Sequence, residues 1–258
     1  MEHTVACDYS VEGRGPPLVL IHGIGAARDA WRFVAPHLVA HFTVVRYDLR
    51  GHGTSPSAEP GFGLDELVND LGSVCDRAGL DAVHLAGHSL GGMIAPAFAR
   101  RYPARVKSMS LLSTAAFRTA DDRAKVAGVV QAMTDQGIAD VLPTLTHRWF
   151  TDDFIAANPA VVERRMAQVI GTDAATFLNV FRIYATTEMQ PWLADIETPA
   201  LVLTGEHDGG CPPRLNGLIA EALPNSSLVV LDGLKHAVQL EAPESVAAAV
   251  RDFASRHP

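Results

Sequence analysis

Ser89 lies in a glycine-flanked turn of the kind that presents a nucleophile. The pentapeptide Gly87-His88-Ser89-Leu90-Gly91 follows an apolar run over residues 83–86 and precedes a helical pattern. A serine at a tight turn between a strand and a helix leaves no room for large neighbours, so small residues must flank it. The Gly-x-Ser-x-Gly pattern is weak evidence in a chain with 21 glycines, but the flanking strand and helix make it specific. We therefore interpret Ser89 as a candidate nucleophile.

A serine hydroxyl becomes a useful nucleophile only when a neighbouring base takes its proton, and the base in turn needs an acid that orients it. His236 follows the last predicted strand, residues 227–231, and Asp208 follows the preceding one, residues 200–204. The chain order serine, aspartate, histidine is a known order for such triads. We predict that Ser89, Asp208 and His236 form a catalytic triad.

Two other carboxylates compete with Asp208 for the role of the acid. Glu206 and Asp232 follow the same two strands and remain alternatives if the loops run differently. The predicted strand over residues 106–112 is followed by Ser113-Thr114-Ala115-Ala116, which contains no carboxylate. This absence favours Asp208.

Backbone N–H groups are expected to stabilise the negative charge that develops on the attacked carbonyl oxygen. Leu90 follows the nucleophile at the positive end of a helix, and Ile24 lies in the His22-Gly23-Ile24-Gly25 loop after the strand 18–21. A preorganised donor of this kind contributes about 3–4 kcal/mol to transition-state stabilisation. We predict Ile24 and Leu90 as the oxyanion hole of an acyl transfer that passes through an acyl-enzyme.

Alternating strands and helices must position these residues. Strands are predicted at residues 18–21, 42–47, 83–86, 106–112, 200–204 and 227–231, after a weaker starting strand over residues 3–10. Helical patterns lie between them, including residues 29–40 and 64–75. This alternation predicts a mostly parallel sheet with helices on both faces, whose carboxyl edge carries the site.

One long interruption divides this pattern. Between about residues 115 and 195 no strand is evident, only helical stretches broken at Gly137, Pro143, Pro159 and Gly171. We predict a core formed by residues 1–114 and 196–258, with a helical cap over residues 115–195.

Composition and charge restrict the possible functions. The 258 residues are 48% hydrophobic and 19% charged, which is typical of a compact globular protein. A net charge of −8 argues against non-specific nucleic-acid binding. Three widely spaced cysteines suggest neither a disulfide framework nor a zinc site, and no signal peptide or membrane span is evident. We expect a cytoplasmic protein that acts on a small molecule and binds neither nucleic acid nor membranes; the sequence leaves a homo-oligomer open.

These motifs together resemble the α/β-hydrolase superfamily. The motifs are His22-Gly23-Ile24-Gly25, Asp48-Leu49-Arg50-Gly51-His52-Gly53-Thr54-Ser55, Gly87-His88-Ser89-Leu90-Gly91-Gly92, Gly205-Glu206-His207-Asp208 and Lys235-His236. The resemblance implies an eight-stranded, mostly parallel sheet with a helical cap inserted after the sixth strand.

Within the superfamily the chain is most similar to 3-oxoadipate enol-lactonases. The tail from Gly233 to Pro243 and the stretch Arg148-Trp149-Phe150-Thr151 carry this similarity. Such enzymes degrade aromatic compounds without a cofactor and open a lactone that bears a carboxylate. The resemblance therefore implies a serine esterase or lactonase that uses no cofactor and no metal, with Arg148 and Trp149 in the substrate pocket.

Two other functions remain alternatives. A hydrolase that cleaves a carbon–carbon bond in ring-fission products could use the same scaffold, although such relatives commonly carry tryptophan after the catalytic histidine, where this chain has Ala237. A ligand receptor that kept the hydrolase fold could use the same pocket with negligible turnover.

Overall fold

Seven strands form one sheet in the computed structural model, which describes residues 4–57 and 59–258. In chain order they are β1 (Tyr9–Gly13), β2 (Pro17–Ile21), β3 (Thr43–Tyr47), β4 (Val83–His88), β5 (Val106–Leu112), β6 (Ala200–Gly205) and β7 (Ser226–Leu231). Their spatial order is β1-β3-β2-β4-β5-β6-β7, with β1 antiparallel to β3 and every other pair parallel. The predicted sheet, parallel except for one antiparallel pair, is therefore confirmed.

The described residues contain ten α-helices, some of which pack on the two faces of the sheet. They are α1 (Leu64–Arg77), α2 (Gly91–Arg101), α3 (Ala120–Gln136), α4 (Ile138–Trp149), α5 (Asp152–Ala157), α6 (Pro159–Gly171), α7 (Ala174–Thr186), α8 (Pro213–Ala222), α9 (Val238–Glu241) and α10 (Pro243–Ala254). The apolar stripe of α1 is buried, and Phe98 of α2 packs in the same core. On the opposite face, Trp31 and Phe253 pack against the sheet. Helices on both faces explain why β4 is buried along its whole length.

The loops that carry the predicted chemistry meet at one edge of the sheet. Strands β2 and β4 are direct neighbours, with Ile21 paired to Gly87, so both end at the same height. Strands β6 and β7 are parallel to them, so their carboxyl ends lie at the same edge. This edge is where open α/β sheets bind ligands.

Five consecutive helices, α3 to α7, lie between β5 and β6; we call them the helical insertion. Gly137, with φ +97°, separates α3 from α4. Pro159 opens α6, where its missing N–H is not needed, and Gly171 ends it. Pro143, in contrast, lies inside α4, so the predicted break there was wrong. One proline removes a single hydrogen bond, and the buried Leu142 and Leu145 hold the helix in place.

Three further expectations differ from the structure. The described residues contain seven strands rather than eight, so the insertion follows the fifth strand and not the sixth. The first strand begins at Tyr9 because its partner β3 sets the register, and His3 lies outside the described residues. The helix predicted at residues 29–40 is two short 3₁₀ helices, Arg28–Trp31 and Ala35–His37, because Pro36 cannot donate the backbone bond of a continuing helix.

None of the helices in the described part of the chain combines the length and the apolar character needed to cross a lipid bilayer.

Candidate active site

Ser89 occupies a strained turn between β4 and α2. Its φ is +55°, in the left-handed region that non-glycine residues rarely adopt, and its N–H donates to the carbonyl oxygen of Leu112 at 2.8 Å. The turn is too tight for side chains on its glycines. A Cβ on Gly87 would lie 2.1 Å from the carbonyl oxygen of Gly91, and one on Gly91 would lie 2.3 Å from that of Ile21. The strain is the local feature that presents the serine side chain at the sheet edge.

Asp208 and His236 are joined directly. Oδ2 of Asp208 lies 2.7 Å from Nδ1 of His236, and Oδ1 accepts the N–H groups of Gly210 and Cys211 at 2.9 and 2.8 Å. The carboxylate is buried, with 1% of its surface exposed, and all of these contacts hold it towards the imidazole. The arrangement leaves Nε2 of His236 as the nitrogen that can serve as a base.

Electrostatics reinforce this pair. Burial lowers the pKa of His236, but the carboxylate of Asp208 outweighs burial through its charge and hydrogen bond, so the pKa is raised. For Asp208 burial raises the pKa, but the charge of His236 and the hydrogen bonds outweigh it and the pKa is lowered. The two groups therefore favour the imidazolium–carboxylate pair, which is the form that arises once a base has taken a proton.

Of the two rival carboxylates, Glu206 points elsewhere. It accepts the N–H of Gly233 at 2.9 Å and lies 3.7 Å from the exposed ring of His207. Asp232 makes no hydrogen bond or ion pair with His236 in the described residues. The structure therefore brings Asp208, and neither rival, to His236.

The two candidate donors, the N–H groups of Ile24 and Leu90, belong to different peptide units. In each unit a hydrogen bond to the carbonyl oxygen holds the N–H in place. Nδ1 of His22 lies 2.7 Å from the carbonyl oxygen of Gly23, whose peptide carries the Ile24 N–H. The carbonyl oxygen of Ser89, whose peptide carries the Leu90 N–H, accepts from Thr114 Oγ1 at 3.0 Å and from a backbone N–H of α2. A trans peptide points its N–H away from its C=O, so both N–H groups are fixed on the other side.

His22 is locked as a neutral ring. Its Nε2 accepts the N–H of Leu49 at 2.9 Å, which leaves Nδ1 to carry the proton that is donated to Gly23. Burial, with the nearby His52 adding to it, holds the pKa of His22 well below its ordinary value. His52 repeats the pattern, because its Nε2 accepts the N–H of Gly25 at 3.2 Å and burial lowers its pKa to about 4. Two neutral histidines thus support the loop that carries Ile24.

Two side chains that sequence reasoning did not assign to the site also line it. Arg165 of α6 donates to the carbonyl oxygens of Ile24 and Gly25 at 2.8 and 2.5 Å and lies over the ring of Trp149, 4.7 Å from its centroid. Nε2 of His88 lies 2.9 Å from the carbonyl oxygen of His236, and burial lowers the pKa of His88 to about 3. No local sequence pattern marks Arg165, because its contacts depend on how the helical insertion folds over the sheet edge.

A cavity of about 370 Å³ lies over Ser89 and His236, and it is large enough for a small substrate. The predicted residues Ile24, Arg148 and Trp149 line it too. Arg148 is exposed, whereas Trp149 is half-buried and contacts Arg165. Its remaining lining side chains come largely from the helical insertion, namely Arg118, Asp122, Lys125, Val126, Val129, Leu145, Phe150, Arg165, Phe181 and Tyr184.

The cavity is cationic although the chain is acidic. Arg118, Lys125, Arg148 and Arg165 line it, whereas Asp122 is the one carboxylate among the lining residues that the structure describes. Lys125 is paired with Asp121 at 2.7 Å outside this lining. The two Asp122 oxygens are already occupied by Arg214, at 2.8 and 3.0 Å. The cavity therefore presents excess positive charge to whatever enters it.

One group of side chains has the donor atoms of a metal site. Asp208, Cys211 and His236 bring one potential ligand atom each to within 4.8 Å of one another. The same atoms are engaged in the Asp208–His236 hydrogen bond, and Sγ of Cys211 lies 3.1 Å from the hydroxyl of Tyr184. This donor set fits a proton-transfer pair better than a metal centre, because a bound cation would have to break that hydrogen bond.

Comparison with known proteins places the chain among hydrolases. The family described as "alpha/beta hydrolase fold" matches residues 16–243. The (E)-2-((N-methylformamido)methylene)succinate hydrolase of Acinetobacter baylyi is 30% identical over 253 residues, covering 97% of this chain and 94% of that protein. The 3-oxoadipate enol-lactonase 2 of the same organism is 26% identical over 254 residues, covering 98% and 94%. The predicted similarity to enol-lactonases is thereby confirmed.

Solved structures give the same result for the fold. A thermophilic esterase from Thermogutta terrifontis, solved with malate bound, superposes with a TM-score of 0.87 at 26% identity, covering 98% of this chain and 94% of that one. The enol-lactonase from Burkholderia xenovorans superposes with a TM-score of 0.89 at 24% identity, covering 96% of both chains.

Proposed function

The chain belongs to the alpha/beta hydrolase fold family and is an ester-bond hydrolase, and from that premise we propose that it cleaves a small ester or lactone that bears a carboxylate. The bond is broken by Ser89 through an acyl-enzyme. Asp208 and His236 complete the triad, and the N–H groups of Ile24 and Leu90 bind the oxyanion. Such a reaction needs no cofactor, because the chain supplies nucleophile, base and electrophilic donors itself.

The proposed reaction has two halves. In the first, Nε2 of His236 takes the proton of Ser89 Oγ as the oxygen attacks the carbonyl carbon, and the imidazolium then protonates the leaving alkoxide. In the second, His236 takes a proton from water, the hydroxide attacks the acyl-enzyme, and Ser89 leaves with that proton. Asp208 stabilises the imidazolium in both halves, and the two backbone donors stabilise each tetrahedral oxyanion.

The excess positive charge of the cavity is the observation that carries the substrate class. Of the four cationic side chains around the space above Ser89, Lys125 is paired with Asp121, and the lining carboxylate of Asp122 is paired with Arg214. Arg118, Arg148 and Arg165 remain as the excess positive charge. A neutral ester would gain nothing from this charge, whereas a substrate carboxylate would be attracted and oriented by it. The names of the relatives support this choice, since they include a hydrolase of a substituted succinate, a lactonase of a 3-oxoadipate derivative and an esterase with bound malate.

A fluorophosphonate probe and matched esters test this function. The probe is expected to label wild-type protein on the peptide that contains Ser89, and Ser89→Ala should abolish both labelling and turnover while the protein stays folded. Ser57→Ala, at an exposed serine, is the control and should change neither. Ester hydrolysis that survives Ser89→Ala would contradict the proposed nucleophile.

The substrate class needs its own measurement. We expect kcat/KM to be highest for enol-lactones and half-esters that carry a free carboxylate, and lower for the corresponding neutral diesters. Ring-fission products cleaved faster than any ester would instead identify a carbon–carbon bond hydrolase. A tightly bound ligand with no turnover of any of these compounds would identify a receptor.

A further inference from the structure

Arg118 is a buried cation at the wall of the cavity. It lies between β5 and α3, its exposed fraction is only 4%, and it lines the same cavity as Ser89 and His236. Burying a guanidinium is costly unless its charge and its N–H groups are matched by acceptors. Each N–H of the Arg118 side chain therefore needs an acceptor, from the protein or from a ligand.

One end of the guanidinium is fully used by the protein. Nη1 donates to the carbonyl oxygens of Tyr184 and Thr187 at 3.1 and 3.2 Å. The guanidinium also lies over the ring of Tyr184, with 4.4 Å between Cζ and the ring centroid. These contacts fix the plane of the group and cover one of its faces.

The other edge of the same group has no protein partner. Nε and Nη2 of Arg118 are both buried and donate to no acceptor in residues 4–57 and 59–258. Elsewhere in this protein that same edge binds carboxylates. Nε and Nη2 of Arg50 donate to the two oxygens of Asp70 at 2.6 and 2.8 Å, and those of Arg164 donate to Asp29 at 2.8 and 3.0 Å. Arg118 thus presents a two-donor edge that matches a carboxylate.

The nearby acids are committed to other donors. Glu188 accepts the backbone N–H groups of Phe117, Arg118 and Gln190 at 3.0, 3.3 and 3.0 Å. Asp122 is held by Arg214 and by Thr119. No carboxylate in the described part of the chain lies within ion-pair distance of the Arg118 side chain. Its charge is therefore left for a ligand.

We propose that the Nε–Nη2 edge of Arg118 is the site that binds the substrate carboxylate, so that Arg118, rather than Arg148, determines specificity. This inference rests on the proposed function and makes its substrate class specific. Both donors are closed to solvent in this structure, so a carboxylate reaches the edge as the side chains over it move aside, and it then binds side-on through two parallel hydrogen bonds. Because the protein already holds the plane of the guanidinium, the Arg118 side chain loses little further conformational freedom when the substrate binds.

The subsite lies on the Asp208 side of the cavity. Arg118 packs on Tyr184, whose hydroxyl contacts Cys211, and Cys211 donates its N–H to Asp208. Arg165, in contrast, has its Nη1 and Nη2 committed to the carbonyls of Ile24 and Gly25. Arg148 is exposed, so water and salt screen its attraction for an anion. Of the cavity arginines, Arg118 combines burial with an uncommitted two-donor edge.

Paired substrates and Arg118→Met test the proposal. Mono-(4-nitrophenyl) glutarate and 4-nitrophenyl pentanoate have nearly the same shape, but only the first carries a carboxylate. Losing a buried charge-assisted pair of hydrogen bonds should lower kcat/KM for the glutarate about 10- to 100-fold more than kcat/KM for the pentanoate, which reports any general effect of the substitution on the cavity. Arg182→Met, an exposed arginine outside the cavity, is the control and should change neither.

Binding of glutarate to the Ser89→Ala protein gives a readout that does not depend on turnover. We expect Arg118→Met to raise the dissociation constant at least 10-fold in calorimetry, and glutarate to raise the Tm of the parent but not of the double variant. If Arg118→Met does not fold, Arg118→Lys decides. Lysine keeps the charge but cannot present two donors on one edge, so binding should weaken and the preference for glutarate should shrink.

The outcomes separate this inference from the proposed function. Fluorophosphonate labelling and pentanoate hydrolysis with no Arg118-dependent preference for glutarate would leave the hydrolase intact and overturn the carboxylate site. An equal loss on both substrates would make Arg118 structural, and a preference abolished by Arg148→Met alone would assign the carboxylate to Arg148. Absence of labelling and turnover, with glutarate still bound through Arg118, would overturn the hydrolase and keep the anion site.

Discussion

Nη2 of Arg165 donates to the carbonyl oxygen of Ile24 at 2.8 Å, so a helix of the insertion holds the loop that carries a candidate oxyanion donor. Nη1 of the same group binds the carbonyl oxygen of Gly25. The guanidinium is held in turn by stacking on Trp149. The helical insertion is thereby coupled to the geometry of the reaction centre as well as to the size of the cavity.

Arg165→Met should lower kcat for a neutral ester about 10- to 100-fold with little change in KM. The loop would lose two hydrogen bonds, and a shift of the Ile24 N–H weakens binding of the transition state more than binding of the substrate. A neutral substrate such as 4-nitrophenyl pentanoate is used because its rate reports the position of the loop and contains no attraction between Arg165 and an anion. Steady-state kinetics measure the split between kcat and KM.

Arg164→Met is the matched control for this prediction. Arg164 is the preceding residue on α6 and pairs with Asp29, on the surface. Its loss should leave kcat unchanged. Arg165→Lys should restore part of the activity, since lysine can reach one carbonyl. A rise in KM alone after Arg165→Met would show that Arg165 binds substrate and does not position the loop.

The pH profile should reveal the coupling between His236 and Asp208. The base must be neutral to act, and Asp208 raises the pKa of His236, so the acidic limb of kcat/KM should lie above the ordinary histidine pKa. In Asp208→Asn the charge is lost while burial still lowers the pKa, so the limb should move to lower pH. The maximum should also fall by about 10³- to 10⁴-fold, because the ring loses its orienting partner.

Labelling of Ser89 by a fluorophosphonate across the pH range measures that limb without assuming a substrate. Asp81→Asn, at an exposed aspartate outside the cavity lining, makes the same change in net charge and is the control. An acidic limb that does not move in Asp208→Asn would mean that another group sets the pKa.

Stability should fall as the pH drops from about 6.5 towards 4. Burial lowers the pKa of His52 to about 4 and that of His88 to about 3, so the unfolded chain binds protons that the folded chain does not. Stability therefore rises with pH across this window and is lost on acidification. For His52 the loss approaches about 3 kcal/mol by pH 4. Chemical denaturation at a series of pH values measures it.

His84 offers a test of this account away from the candidate site. It is buried, contacts Ser108 Oγ at 2.8 Å, and burial lowers its pKa to about 4. His84→Gln should therefore flatten the dependence of unfolding free energy on pH by about one proton. His236 acts in the opposite sense, since its raised pKa makes stability decrease as the pH rises above 6.5. An unchanged slope in His84→Gln would contradict the assignment.

Alanine at two glycines should have opposite effects on stability. In Gly91→Ala the new Cβ would meet the carbonyl oxygen of Ile21 at 2.3 Å, and neither backbone segment can move without disturbing the sheet. We expect a loss of about 3 kcal/mol or more, or no folded protein. Gly128 lies exposed in α3 with nothing within 4 Å of such a Cβ, so Gly128→Ala should stabilise by about 0.5–1 kcal/mol. Urea denaturation distinguishes the two.

The sequence identified the fold and the candidate site residues Ser89, Asp208 and His236, which the structure brings to the same edge of the sheet. Strand β5 begins and ends at the predicted residues, and the glycines around Ser89 are explained by the close approach of backbone atoms. Such features are local, since periodicity and small residues act over a few neighbours. The boundaries of strands and helices that depend on pairing or packing with another element are predicted less accurately from the sequence. The first strand is set by pairing with β3, and Pro143 is tolerated because packing holds α4 together.

The tertiary structure decided which charged residues line the cavity. Arg118, Arg148, Arg165 and Arg182 look alike in the sequence, and only Arg148 and Trp149 were singled out for the pocket. Folding buries Arg118 beside Tyr184, directs Arg165 to the loop of Ile24 and leaves Arg182 exposed outside the cavity. The value of a charge depends on its burial and on its partners. Those partners lie up to 141 residues away along the chain, a distance at which no local pattern can specify them.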